Sequence, residues 1–104
     1  MNDKPWHKVA DVDELAENEC KTAKAGDKLV AIVRTADGYH AVDNKCLHTG
    51  GPLGQGSVEE DHIVCPWHGR AYSVHTGECM NVEERIKVHK VEAREDGIFV
   101  MTED

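Results

Sequence analysis

The sequence predicts an all-β domain made of short antiparallel strands. Runs rich in β-branched residues alternate with glycine-containing turns at close intervals, which is typical of small β-sandwiches and barrels. Two of these turns are Asp-Gly pairs, at Asp37-Gly38 and Asp96-Gly97, and each stands between two apolar runs. The chain has 104 residues, so we expect one domain that spans residues 1–104.

The individual strands follow from the same pattern. Residues 28–34 are rich in Val and Ile, and residues 39–42 would return from the Asp37-Gly38 turn. Apolar residues alternate over residues 86–91, and residues 98–101 follow the second Asp-Gly turn. Shorter runs at residues 63–64 and 71–74 also favour strands. We expect one short helix over residues 12–17, with Asp11 as its N-cap and Glu14 completing a capping box.

Composition and charge limit the classes of function that this protein can have. The net charge is −8 and no basic patch is evident, which argues against nucleic-acid binding. No apolar run approaches the roughly 18–20 residues that span a bilayer, so no membrane association is expected. The first residues lack the apolar core of a secretory signal, and we therefore expect a cytoplasmic protein. The acidic surface would promote solubility, or steer the protein toward a basic partner.

Two short clusters dominate the chain: Cys46-Leu47-His48 and Cys65-Pro66-Trp67-His68. Each pairs one thiolate with one imidazole, and together they offer the donors that suit a bound transition metal. Glycines accompany both clusters and are crowded over residues 50–56. Because so much glycine costs chain entropy, we expect the backbone there to pass close to something bulky.

Three interpretations of the clusters compete. Coincidence is disfavoured because both clusters match in composition and both have glycine and proline nearby. Structural zinc can be bound by two cysteines and two histidines. In such sites one turn usually supplies both cysteines and another supplies both histidines, whereas each cluster here supplies one cysteine and one histidine. A [2Fe-2S] cluster explains the mixture, with two cysteines on one iron and two histidines on the other. The remaining cysteines, Cys20 and Cys79, are expected to be thiols without a redox role. The remaining histidines are expected to be surface or structural residues: His7, His40, His62, His75 and His89.

The spacing Cys46-x-His48 followed by Cys65-x-x-His68 resembles the Rieske motif. The resemblance extends through Gly69, Tyr72 and Thr76-Gly77-Glu78. It implies an antiparallel β-sandwich with a small cluster-binding subdomain formed by two loops. It also implies one [2Fe-2S] cluster per chain, with Cys46 and Cys65 on the inner iron and His48 and His68 on the outer, solvent-facing iron.

The resemblance also assigns supporting roles. Gly50, Gly51 and Gly69 would let backbone amides approach the cluster. Pro52 would start a loop that shields it, and Trp67 would help to cover it.

Departures from the respiratory and photosynthetic Rieske proteins place the chain elsewhere in that family. Those proteins carry two further cysteines, joined in a disulfide, where this chain has Gly51 and Trp67. They also have a serine at the position of Arg70. Both differences imply a reduction potential near the lower end of the Rieske range of about −150 to +300 mV. Tyr72 would raise it somewhat by bonding a ligand sulfur, unless it only packs.

The chain therefore resembles the ferredoxins of bacterial ring-hydroxylating dioxygenase systems. The resemblance implies a one-electron carrier rather than an enzyme, taking electrons from a flavin reductase and passing them to a terminal oxygenase. We expect a monomer. Two alternatives stay open: a small Rieske-like subunit of an assimilatory nitrite reductase, and a structural zinc-binding interaction module.

Overall fold

A computed structural model describes residues 6–46, 51–67 and 69–102. Within these residues the chain forms strands and one short 3-10 helix, Leu53–Gln55. In chain order the strands are β1 His7–Ala10, β2 Glu19–Ala25, β3 Lys28–Thr35, β4 Gly38–Asp43, β5 Ser57–Glu59, β6 His62–Val64, β7 Ala71–Ser73, β8 Val88–Arg94 and β9 Gly97–Met101.

The strands make two antiparallel sheets. The larger has the order β1-β9-β8-β4-β3-β2, and the smaller has the order β5-β6-β7. The edge strands β1 and β2 contact each other, so the larger sheet curls onto itself. The predicted antiparallel all-β fold is confirmed. Among the residues described, no helix has the length and apolar character required to cross a bilayer.

Strand β3 is buried on both faces, which explains its unbroken apolar sequence. Val30 and Ile32 face a core inside the curled sheet, together with residues of β1 and β9. Ala31 and Val33 face a second core, which contains residues of the smaller sheet. One central strand therefore joins the two hydrophobic cores of the protein.

Both predicted hairpins form, with their turns one residue earlier than expected. Thr35 pairs with Gly38, and Arg94 pairs with Gly97, so each glycine begins the returning strand instead of lying within the turn. Gly38 and Gly97 have φ values of 128° and 155°, which a residue with a side chain rarely adopts.

The predicted helix over residues 12–17 is wrong. The segment forms turns, in which the amide of Glu14 donates to the carbonyl of Asp11 at 3.1 Å and the amide of Asp11 donates to the Glu14 carboxylate at 3.0 Å. This exchange resembles a capping box but closes a turn. The side chain of Arg34 donates to the carbonyl of Leu15 at 2.7 Å, and Asn18 has a φ of 65°, so no helix continues.

Three strands were absent from the predicted set: β1, β2 and β5. All seven residues of β2 pair with β3, although its sequence, ECKTAKA, has few residues with strong β propensity. The conformation of β2 is therefore determined by pairing with a buried central strand and not by local propensity.

Residues 44–87 lie between the neighbouring strands β4 and β8, and Asp43 joins the two ends of this segment. Its amide donates to the carbonyl of Lys87 at 3.0 Å, and its carboxylate accepts the amide of Lys87 at 3.2 Å. The second carboxylate oxygen lies 2.8 Å from Nε2 of His89, whose side chain is fully buried.

Replacement of Asp43 by alanine is expected to destabilise the protein by about 1–3 kcal/mol, because it removes the acceptor facing a buried imidazole. Urea denaturation would measure the change in free energy of unfolding. As a control, Asp13→Ala removes an exposed carboxylate and should change stability by no more than about 0.5 kcal/mol. Equal effects of the two substitutions would contradict a structural role for Asp43.

Candidate metal centre

The first predicted ligand loop begins directly after β4. The amide of Cys46 donates to the carbonyl of Gly51 at 2.9 Å, and the amide of Leu53 donates to the carbonyl of Asn44 at 2.6 Å. These two bonds close the base of the loop. His48 and Gly50 lie within it, outside the described residues.

Asn44 fixes this loop, and the sequence analysis missed it. Its buried side-chain oxygen accepts the amide of Gly54 at 2.9 Å and the hydroxyl of Thr22 at 2.9 Å. The loop is thereby tied both to itself and to β2. A signal was present, since asparagine follows an apolar strand and stands two residues before a candidate ligand.

The glycines after Pro52 lie close to the backbone of the protein itself. Pro52 precedes the 3-10 helix, as expected for the start of a new segment. A Cβ atom at Gly54 would overlap the backbone of Thr22, and one at Gly56 would overlap the carbonyl of Val64. The bulky neighbours expected from the glycine run are therefore, at these two positions, strands β2 and β6.

The second predicted ligand loop is closed in a similar way. The amide of Cys65 donates to the carbonyl of Arg70 at 2.8 Å, and the amide of Gly69 donates back to the carbonyl of Cys65 at 3.1 Å. Gly69 has a φ of 75°, which favours glycine at this turn. Trp67 is 59% exposed, and His68 lies outside the described residues.

The two cysteines share one hydrophobic core. Cys46 and Cys65 are both buried, in the cluster that also holds Tyr72, Leu53 and Ile63. The structure thus brings together two of the four predicted ligands from loops far apart in sequence. Two buried sulfur donors, each at the base of a backbone-closed loop, are the soft thiolate ligands that iron–sulfur clusters take.

Tyr72 reaches this site through its hydroxyl group, which lies 3.6 Å from Sγ of Cys46. The same hydroxyl donates to Oε2 of Glu84 at 2.7 Å, and Arg70 donates to that oxygen from Nη1 at 3.1 Å. Burial raises the pKa of Tyr72, and the hydrogen bond to Glu84 raises it further. Tyr72 therefore keeps its proton and does more than pack.

The cysteines outside the motif have local roles. Cys20 lies 3.5 Å from the carbonyl of Gly54, and burial raises the pKa of its thiol, which favours the unreactive form. Sγ of Cys79 lies 3.7 Å from the side-chain oxygen of Asn81. Both are free thiols.

Three of the histidines expected to be surface or structural are engaged by aspartates. His89 pairs with Asp43, as described above. His40 lies 3.0 Å and His75 3.6 Å from the carboxylate of Asp37. The hydroxyl of Thr35 and then the imidazole of His40 lower the pKa of Asp37 to about 2. The side chains of Asp37, His40, His75 and Thr35 thus supply one another with hydrogen-bond or ion-pair partners.

The chain is similar in sequence to known proteins. Residues 5–92 match the family model described as "Rieske [2Fe-2S] domain". The chain is 31% identical over 88 residues to the anthranilate 1,2-dioxygenase ferredoxin subunit of Burkholderia cepacia, and the match covers 83% of this chain and 82% of the relative. Some other relatives are longer, and the chain spans 45% of one of them.

Solved structures agree with the fold. The carbazole 1,9a-dioxygenase complex of reduced oxygenase and oxidised ferredoxin contains a chain with a TM-score of 0.83 and 26% identity, covering 95% of this chain and 94% of that one. A nitrite reductase small subunit from Mycobacterium tuberculosis has a TM-score of 0.89 and covers 99% of both chains, but at 21% identity it shows the fold alone.

The matched residues include both Cys/His clusters, and Cys46 and Cys65 are buried in one hydrophobic core. The chain therefore belongs to the Rieske [2Fe-2S] domain family, and its cofactor is a [2Fe-2S] cluster.

Proposed function

We propose that this chain carries single electrons from a flavin reductase to a terminal oxygenase. The observation that supports it best is the burial of Cys46 and Cys65 in one core, each at the closed base of a loop. The similarity to the ferredoxin subunit of an anthranilate dioxygenase supports the choice of partners. When bound, the cluster accepts and releases one electron, so the protein is a carrier and not a catalyst.

In this proposal each ligand loop supplies one sulfur and one nitrogen. Cys46 and Cys65 bind the inner iron, and His48 and His68 bind the outer iron. The buried core around the cysteines excludes water from the sulfur side, and the backbone bonds at the loop bases hold the thiolates in place. Gly50, Gly51 and Gly69 give backbone amides access to the cluster, while Pro52 and Trp67 help to shield it.

The outer surface suits a protein partner. Trp67 is exposed in the second ligand loop, and large exposed aromatic side chains are frequent at protein interfaces. The net charge of −8 would steer the carrier toward a basic face of its partner. We place this carrier in the cytoplasm as a monomer.

One alternative has a specific observation in its favour. The nitrite reductase small subunit has the same fold over the full length of this chain. An acceptor that contains sirohaem, in place of an oxygenase, would then take the electrons.

Reconstituted electron transfer would test the proposal. The reduced protein, with its cluster loaded, is mixed with a flavin reductase and a ring-hydroxylating oxygenase, and substrate turnover is followed at low and high NaCl concentration. We expect turnover that depends on the protein and falls about tenfold or more as salt screens its charge. Turnover that does not change with salt would contradict steering. Transfer to a sirohaem nitrite reductase, but not to the oxygenase, would favour the alternative.

A further inference from the structure

The hydroxyl group of Tyr72 lies between two acceptors and has only one proton to give. Its oxygen is 2.7 Å from Oε2 of Glu84, which is an optimal distance for an O–H···O bond, and 3.6 Å from Sγ of Cys46. The bond to the ionised carboxylate is short and charge-assisted, whereas the cysteine sulfur is a weaker acceptor and lies farther away. The proton of Tyr72 is therefore directed at Glu84 and away from the sulfur.

Glu84 is held in this position from several sides. Arg70 donates to the same carboxylate oxygen at 3.1 Å, and both side chains are mostly buried, with 21% exposed. The backbone of Glu84 is fixed as well, since its amide donates to the carbonyl of Val82 at 3.0 Å and its own carbonyl accepts the amide of Cys79 at 2.9 Å. The neighbouring Glu83, by contrast, is exposed.

We propose that Glu84 keeps the reduction potential of the cluster low by holding the Tyr72 proton away from Cys46. The proposal rests on the assignment of Cys46 as an iron ligand. Reduction adds one negative charge to the cluster, and a hydrogen bond to a ligand sulfur stabilises that charge and raises the potential. A carboxylate that competes for the Tyr72 hydroxyl proton removes the part of this stabilisation that Tyr72 could supply. Glu84 is thus a positioning residue that acts through Tyr72.

Two variants of Glu84 test this proposal. Glu84→Gln removes the carboxylate, and Glu84→Asp keeps the charge but withdraws it by one methylene group. Glutamine is a neutral and weaker acceptor than the carboxylate, and aspartate stands farther from the hydroxyl. Both variants weaken the competition for the Tyr72 proton, so the midpoint potential of the loaded protein should rise in both. Glu83→Gln removes the same charge from the exposed neighbour and should leave the potential almost unchanged.

A double-mutant cycle separates proton competition from simple charge removal. In a Tyr72→Phe background there is no hydroxyl proton to release, so Glu84→Gln should lose most of its effect on the potential. Spectroelectrochemical titration gives the four potentials. Resonance Raman spectra are compared in H₂O and D₂O. In the single variant Glu84→Gln, an iron–sulfur stretch should shift on deuteration. In the double variant that also carries Tyr72→Phe, the stretch should not shift.

The outcomes distinguish this proposal from the one it rests on. If Glu84→Gln shifts the potential equally with and without the Tyr72 hydroxyl, Glu84 acts only through its charge and the proposed role is overturned. The absence of any shift in Glu84→Gln would also overturn it. If Cys46→Ser keeps the native cluster spectrum, the ligand assignment itself fails. If that variant loses the spectrum while the potential of Glu84→Gln is unshifted, only the role of Glu84 is refuted.

Discussion

Replacement of Cys65 by serine is expected to yield protein with little or no iron, no acid-labile sulfide and no visible absorption from the cluster. Serine is a harder and much less acidic donor than cysteine, so it is a poor substitute for a thiolate ligand of an iron–sulfur cluster. Cys65 is buried at the closed base of its loop, whereas Cys20 and Cys79 are only partly buried and pack against the outside of the same core. Iron and sulfide analysis with absorption spectroscopy would measure the loss.

Cys79 offers the matched control for this experiment. It is a free thiol, and its sulfur lies beside Asn81 at the margin of the shared core. Cys79→Ser should keep full iron content and the native spectrum. A Cys65→Ser protein with the same iron and spectrum as Cys79→Ser would contradict the ligand assignment.

Replacement of Gly56 by alanine is expected to cost about 3 kcal/mol of stability, near the upper end of usual overpacking effects. The φ of Gly56 is −87°, so the backbone strain of a left-handed residue is absent. The added Cβ atom would instead overlap the carbonyl of Val64, the residue immediately before Cys65. Relief of this overlap must displace either the segment around Gly56 or the end of β6 that leads to Cys65.

Thermal denaturation of the loaded protein, followed at the cluster absorption band, would show a lower midpoint and earlier bleaching in Gly56→Ala. Gln55→Ala is the control, because Gln55 is exposed and adjacent, and its midpoint should stay within a few degrees of that of the native protein. A native midpoint in Gly56→Ala would show that the loop can move away from β6 at no cost.

The fold class and the kind of site could be predicted because both leave a local pattern in the sequence. Strand β3 and its hairpin carry β-branched residues and an Asp-Gly pair, and the two Cys/His clusters have a characteristic spacing. The segment over residues 12–17 satisfied a local helix rule but formed turns. There the side chain of Arg34 and the left-handed Asn18 decide the conformation, and neither is visible in a local rule.

Two supporting residues of the site, Asn44 and Glu84, could not be predicted for a different reason. Glu83 and Glu84 are chemically identical neighbours in the sequence, and only the fold determines which of them turns toward Tyr72. The role of Asn44 likewise depends on a hydrogen bond from Thr22, on a strand that the sequence did not reveal. Contacts between distant segments therefore define the surroundings of the site, while the motif predicts its ligands.

The position of residues 44–87 between two paired strands has a consequence for the order of biosynthesis. Both cysteine loops are synthesised before β8, which closes the segment through Asp43, and before β9, which joins β1. On a ribosome, the emerging chain therefore exposes its iron-binding thiols before it can shelter them. Ile86 and Val88 pack in the core that holds Cys46 and Cys65, so we expect the cysteine site to be complete for cofactor loading only after β8 has emerged.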